Sequence, residues 1–120
     1  MSDAELSHRA WTVQLAMECV DGCESDLREL LEIWLRQSPL LLCDIRSALQ
    51  NDEPEKLQLA AHTLKGSLQI LCADAACEYA AALEFAGEKR MTASAACALP
   101  KLEAEIADLT QLITTYLNSA

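Results

Sequence analysis

The segment Leu57-Gln58-Leu59-Ala60-Ala61-His62-Thr63-Leu64-Lys65-Gly66-Ser67-Leu68-Gln69-Ile70-Leu71 spaces its leucines and alanines with a period that a helix satisfies and a strand does not. At about 100° per residue, Leu57, Ala61, Leu64, Leu68 and Leu71 fall within a stripe about 80° wide, which predicts the face turned to a core. His62 lies about 140° from the centre of that stripe. Gly66, one turn further on, sits opposite the core. Lys65 and Gln69 lie on the same side, within reach by the three- and four-residue neighbour spacing. The histidine is therefore expected on the outside of a core helix.

Working outward, the rest of the chain repeats the helical pattern. Ser2 followed by Glu5 fits a capping box and predicts a short N-terminal helix through about Cys19, closed by the break at Asp21-Gly22. Ser25 can cap a second helix carrying Leu27, Leu30, Leu31, Trp34 and Leu35. Ser38-Pro39 interrupts it, leaving either one kinked helix or two, with Leu42, Ile45 and Leu49 in the continuation. Asn51-Asp52-Glu53-Pro54 makes a turn and restarts a third helix, which runs to about Cys72. Asp74 can cap a fourth, with Cys77, Ala80, Ala81, Leu83 and Glu84, that fades near Ala86-Gly87 and exits through Met91 to Ser94. The last helix shows Leu99, Leu102, Ile106, Leu109, Ile113 and Tyr116 in steps of three and four, with Pro100 near its start. No run rich in β-branched residues is long enough for a strand. Short turns between long amphipathic helices imply antiparallel neighbours. The expected fold is all-α: an antiparallel up-and-down four-helix bundle over about residues 25–119, with an additional short helix in 1–22, in a single domain spanning 1–120.

Composition narrows the function. A chain of 120 residues, 52% hydrophobic and 23% charged, reads as one soluble globular domain that forms its own core. Nineteen acidic against nine basic residues give a net charge of −10, which disfavours nucleic acid and anionic membranes as partners. No apolar run approaches the ~20 residues of a membrane span, and Met1-Ser2-Asp3-Ala4-Glu5 does not read as a signal peptide, so a cytoplasmic location is expected. Cys19, Cys23, Cys43, Cys72, Cys77 and Cys97 lie mostly in apolar helical stretches and match no zinc or redox spacing; buried reduced thiols are expected, and no metal.

One constellation carries chemistry. Glycine inside a helix costs about 1 kcal/mol relative to alanine, and an exposed Gly66 has no internal packing reason to accept it. Leu59 and Ile70 flank the same outer surface about 60 to 80° from His62, apolar area that suits a docking patch. Neutral imidazole is a competent nucleophile, and the Lys65 ammonium one turn away can stabilise a phosphoryl group on the ring. Neither a Walker pattern nor a kinase glycine loop occurs, so no ATP site is expected.

Ala61-His62-Thr63-Leu64-Lys65-Gly66-Ser67 resembles the signature of the histidine phosphotransfer (HPt) domain of bacterial phosphorelays. The resemblance runs from the Leu27 to Trp34 helix, through Leu49-Gln50-Asn51-Asp52 and Leu57, to Ala81-Ala82-Leu83-Glu84 and the last helix. It implies that His62 accepts a phosphoryl group from a receiver-domain aspartate and passes it to another response-regulator receiver, a relay and not a kinase. By the same resemblance Lys65 is the phosphate-proximal cation and Gly66 gives the receiver clearance. Leu59, Gln69 and Ile70 are the expected contact residues. The partners implied are receiver domains, those of a hybrid sensor kinase among them; the resemblance implies no cofactor of the chain's own, magnesium belonging to the receiver. The family usually has a second glycine where this chain has Cys72, at the turn that ends the helix.

Two other readings stand beside this one. Glu5-Leu6-Ser7-His8 has the Glu-x-x-His spacing of carboxylate-bridged metal bundles, but such sites need a second copy, and Leu59 stands where His62 would require a glutamate. A helical-bundle interaction module that binds a receiver or sensor kinase without carrying phosphate is the stronger rival.

Overall fold

Apolar faces recurring every three to four residues close into helices along almost the whole chain. The computed structural model describes residues 11–119. Among these, α1 spans Val13–Cys19, α2 Glu24–Gln50, α3 Pro54–Ile70, α4 Asp74–Glu88, the single turn α5 Thr92–Ala95, and α6 Ala98–Asn118. No strand occurs among the described residues. The pairings fix the topology. Along α3 and α4, Gln58 faces Gly87, His62 faces Glu84 and the Lys65 carbonyl faces Cys77, so one number rises as the other falls. Between α2 and α6, Arg28 reaches the Leu117 carbonyl and Arg46 pairs with Glu103 in the same antiparallel sense. The core is filled by Leu27, Leu31, Trp34 and Ile45 of α2, Leu57, Leu64 and Leu68 of α3, Leu83 of α4, and Leu102, Ile106 and Ile113 of α6. The four-helix bundle and the α3 core stripe expected from periodicity are what the chain forms.

Helix ends are closed by backbone geometry. Asp21, Asp52, Cys72 and Arg90 each take a φ between +51° and +59°. The next residue's N–H then reaches back five positions: Gly22 to Met17 O at 2.9 Å, Glu53 to Ala48 O at 2.8 Å, Ala73 to Leu68 O at 3.0 Å and Met91 to Ala86 O at 2.8 Å. These are Schellman closures of four successive helices. The left-handed φ of Cys72 explains why a glycine suits that position. The closures also place the starts of α2 and α4: Cys23 and Ala73, not Ser25 and Asp74, are the N-caps.

Several expectations change. The helix predicted from Ser2 to Cys19 is not continuous, because Thr12 is extended and caps α1 by accepting from Leu15 N at 3.1 Å; the part before Trp11 lies outside the described residues. Pro39 lies inside a single α2. The exit stretch after α4 forms α5. Pro100 occupies the third position of α6, where a missing N–H leaves no helix bond unmade. Cys23, Cys43 and Cys97 are exposed, Cys77 is half-buried and Cys72 is disulfide-bonded, so the thiols are not the buried reduced set expected. Trp11 packs at the bundle end, its indole Nε1–H donating to Leu71 O at 2.9 Å.

The fourth helix ends at Glu88, next to Gly87, as expected. Gly87 itself is buried, and a Cβ there would stand 2.7 Å from Gln58 N and 2.8 Å from Pro54 O. Only glycine lets the two backbones approach so closely. Gly87→Ala is expected to destabilise the bundle by about 1–3 kcal/mol in urea denaturation. Gly66→Ala, where an added Cβ meets nothing within 4 Å, is expected to leave stability unchanged or raise it by up to about 1 kcal/mol.

Candidate functional site

His62 projects from the outer face of α3 because the inner face is taken by Leu57, Ala61, Leu64 and Leu68, all buried. Its side chain is 69% exposed. Thr63 and Ser67 turn their hydroxyls back onto the helix, donating to Leu59 O at 3.0 Å and Thr63 O at 3.3 Å. The ring instead meets α4: His62 Nδ1 hydrogen-bonds Glu84 Oε2, and Lys65 Nζ donates to Glu84 Oε1 at 2.7 Å. One carboxylate thus bridges the histidine and the lysine one turn below it. Nε2 makes no hydrogen bond among the described residues.

Glu84 has a carboxyl pKa below its ordinary value, chiefly through the hydrogen bond from Lys65 and further through that from His62, with burial opposing. It stays ionised at neutral pH. Cys77 behaves oppositely: burial pushes its thiol up, and its Sγ lies 3.9 Å from the Lys65 carbonyl, so it is a protonated packing group and not a second nucleophile.

Gly66 stands on the open side, and the molecule's own packing gives no reason for glycine there. Leu59 is 68% exposed and Ile70 55%, apolar side chains on either side of the histidine along α3; Gln69 is also exposed. Shallow clefts flank the centre, one lined by Glu55, Gln58, Leu59, His62 and Glu84, the other by Lys65, Gln69, Asp74, Cys77, Glu78 and Ala81. The structure brings His62, Lys65 and Gly66 to one face, with Leu59, Gln69 and Ile70 exposed along the same helix. Glu84 is the residue that sequence reasoning gave no role. Beyond its place in the Ala81-Ala82-Leu83-Glu84 stretch of the resemblance, the sequence signal for it was the antiparallel register, which sets α4 against α3 with Glu84 opposite His62.

Among the described residues no group of three or more His, Cys, Asp or Glu side chains is arranged to hold a metal ion. The Glu5 and His8 pair lies outside the described residues. No helix among them is long and apolar enough to cross a membrane.

The family model of the Hpt domain matches residues 29–115. Among solved structures, the chain is similar to histidine-containing phosphotransfer protein B (HptB) from Pseudomonas aeruginosa PAO1, with a TM-score of 0.84 and 20% sequence identity, over 95% of this chain and 99% of that one. At that identity the likeness speaks for the fold. No curated protein matches the chain in sequence.

The lowered Glu84 pKa has a consequence for stability. A carboxyl with a depressed folded-state pKa contributes stability that is present above its ordinary value of 4.5 and lost as pH falls through the lowered one. Glu84→Gln is expected to be less stable than wild type by up to about 1 kcal/mol at pH 7, and the gap to close as the pH falls below the ordinary carboxyl range, in paired urea titrations.

Proposed function

The chain belongs to the Hpt domain family, the histidine phosphotransfer domains of phosphorelays, and from that membership we propose that His62 is the phosphoryl carrier of this protein. It receives the group from the aspartate of one receiver domain and yields it to another, in the cytoplasm. The observation that carries the reading is an imidazole 69% exposed, with Nε2 unengaged and Gly66 open beside it.

The chemistry is an in-line displacement. The Nε2 lone pair attacks phosphorus, the Nε2–P bond forms, and the P–O bond to the receiver aspartate breaks with its electron pair leaving on the carboxylate. Onward transfer is the reverse displacement by a second aspartate. Magnesium is held by the receiver. Lys65, half-buried and one turn from His62, supplies positive charge for the transferred group. Leu59, Gln69 and Ile70 form the contact surface around it. Within α3 the acids lie in or before its first turn at Glu53 and Glu55, while Asp74, Glu78 and Glu84 of α4 stand beside Lys65 and Gln69, so the docking contact rests on the apolar Leu59 and Ile70 more than on charge.

Incubation with a panel of receivers charged by acetyl phosphate tests the proposal. Wild type is expected to take up label with the acid lability of a phosphoramidate, and His62→Gln none. Unchanged uptake by His62→Gln would leave only the interaction module. Leu59→Asp and Ile70→Asp are each expected to slow transfer about tenfold with helical content intact, since a charge in an apolar contact costs on the order of 1–2 kcal/mol. Equal rates in both would remove this face from the interface. Gly66→Gln is expected to block docking by bulk while the bundle stays folded.

A further inference from the structure

We propose that the groove between α4 and α6 docks an arginine-bearing segment of a partner protein, on a face of the bundle separate from His62.

The groove exists because α4 opens with small side chains. Ala75 and Ala76 stand where leucines would have filled the space against α6. The opening left holds about 510 Å³, within the ~300–1,000 Å³ typical of ligand sites. Its walls are apolar and aromatic: Trp11 and Tyr79 line it with Leu109, and Leu112, 48% exposed, carries the apolar surface beyond it. The indole of Trp11 is held in place by its bond to Leu71 O, so that wall is formed before any partner arrives.

The rim is acidic. Asp74, Glu105 and Asp108 border the groove, and neither lysine nor arginine is among its lining residues. None of the three carboxylates forms a salt bridge among the described residues. A neutral apolar side chain entering here would strip water from these carboxylates and offer no hydrogen bond in return. A guanidinium meets both demands, because its planar face stacks on an aromatic ring while its N–H fork donates to carboxylates. An ammonium is a compact point charge with less to give the ring faces. The same acidic rim repels phosphate backbones and anionic lipid. Charge complementarity thus selects arginine, and the apolar surface continuing over Leu112 gives a hydrophobic neighbour of that arginine a place to lie, which favours a polypeptide segment over a free cation.

The groove and the histidine use different flanks of α4. Tyr79 stands about 140° from Glu84 around the helix; Glu84 is turned to α3 and His62, whereas Tyr79 shares the groove with α6. Asp74, at the start of α4, is the residue that also borders the cleft beside Lys65. A segment seated between α4 and α6 therefore leaves the surface around His62 open to a second protein.

Calorimetric titration of the full chain with a blocked peptide of alternating leucine and arginine, paired with amide chemical-shift mapping, tests the proposal. Saturable binding that weakens with salt is expected, with shifts at Tyr79, Glu105, Asp108 and Leu112 and none at His62. Replacing each arginine of the peptide by glutamine is expected to weaken binding about tenfold, a comparison that leaves the protein's fold untouched. The double variant Glu105→Gln/Asp108→Asn, checked for helicity by circular dichroism, is expected to bind the arginine peptide about tenfold more weakly, and Tyr79→Leu about threefold. No binding by wild type, equal binding of the glutamine peptide, or undiminished binding by the folded double variant overturns the proposal. So do shifts centred on His62 and Leu59, and binding of free arginine amide as tight as that of the peptide. Sedimentation showing a dimer that the double variant disperses would make a second copy the occupant, and overturns it as well.

Discussion

The close approach of α3 and α4 governs the rest of the molecule. Gly87 lies against the backbone at Pro54 and Gln58, with no room for a side chain between. That contact sets the register of the two helices, since any slip would drive a Cβ into backbone. Three residues before Gly87 comes Glu84, and four residues after Gln58 comes His62, one turn along each helix from the contact. The carboxylate meets the imidazole because a glycine elsewhere fixed the alignment. Packing and chemistry are consecutive turns of the same helix pair.

A second constraint is how the helices stop. Four times a non-glycine residue adopts a left-handed φ, at a cost of about 1–2 kcal/mol each, and four times the following N–H recovers a carbonyl otherwise left unpaired. These tight joints keep the turns between α2 and α3 and between α3 and α4 to three residues, which forces the antiparallel packing that the site requires. Side-chain ties between Asp52 and Thr92 and between Glu55 and Arg90 brace the same end of the bundle from its surface.

How much of this could be read from sequence follows from which forces are periodic. The α3 stripe was legible because leucine burial repeats every turn, and the outward direction of His62 followed from the same arithmetic. Gly66 was legible by contrast, an anomaly on an exposed face. The helix end beside Gly87 was legible, but the need for glycine there was not, because local preference cannot see a neighbouring helix; that need lies in Gln58 and Pro54, some thirty residues away. Glu84 was passed over for the same reason, since a single glutamate has no pattern until the register places it opposite a histidine. Ser25 and Asp74 are good caps by composition, yet the starts of α2 and α4 were decided by the left-handed residues before them. The cysteines misled because a thiol in an apolar run carries no sign of which way it points.

The two tryptophans give the bundle a built-in optical gauge. Trp34 sits inside with its Nε1 unpartnered among the described residues, whereas Trp11 reports from the rim, bonded to the carbonyl that terminates the histidine helix. Loosening of that terminus frees one indole and leaves the other dark to the event. The emission of Trp11 is thereby coupled to the integrity of α3 at the end remote from its proline, with no label added.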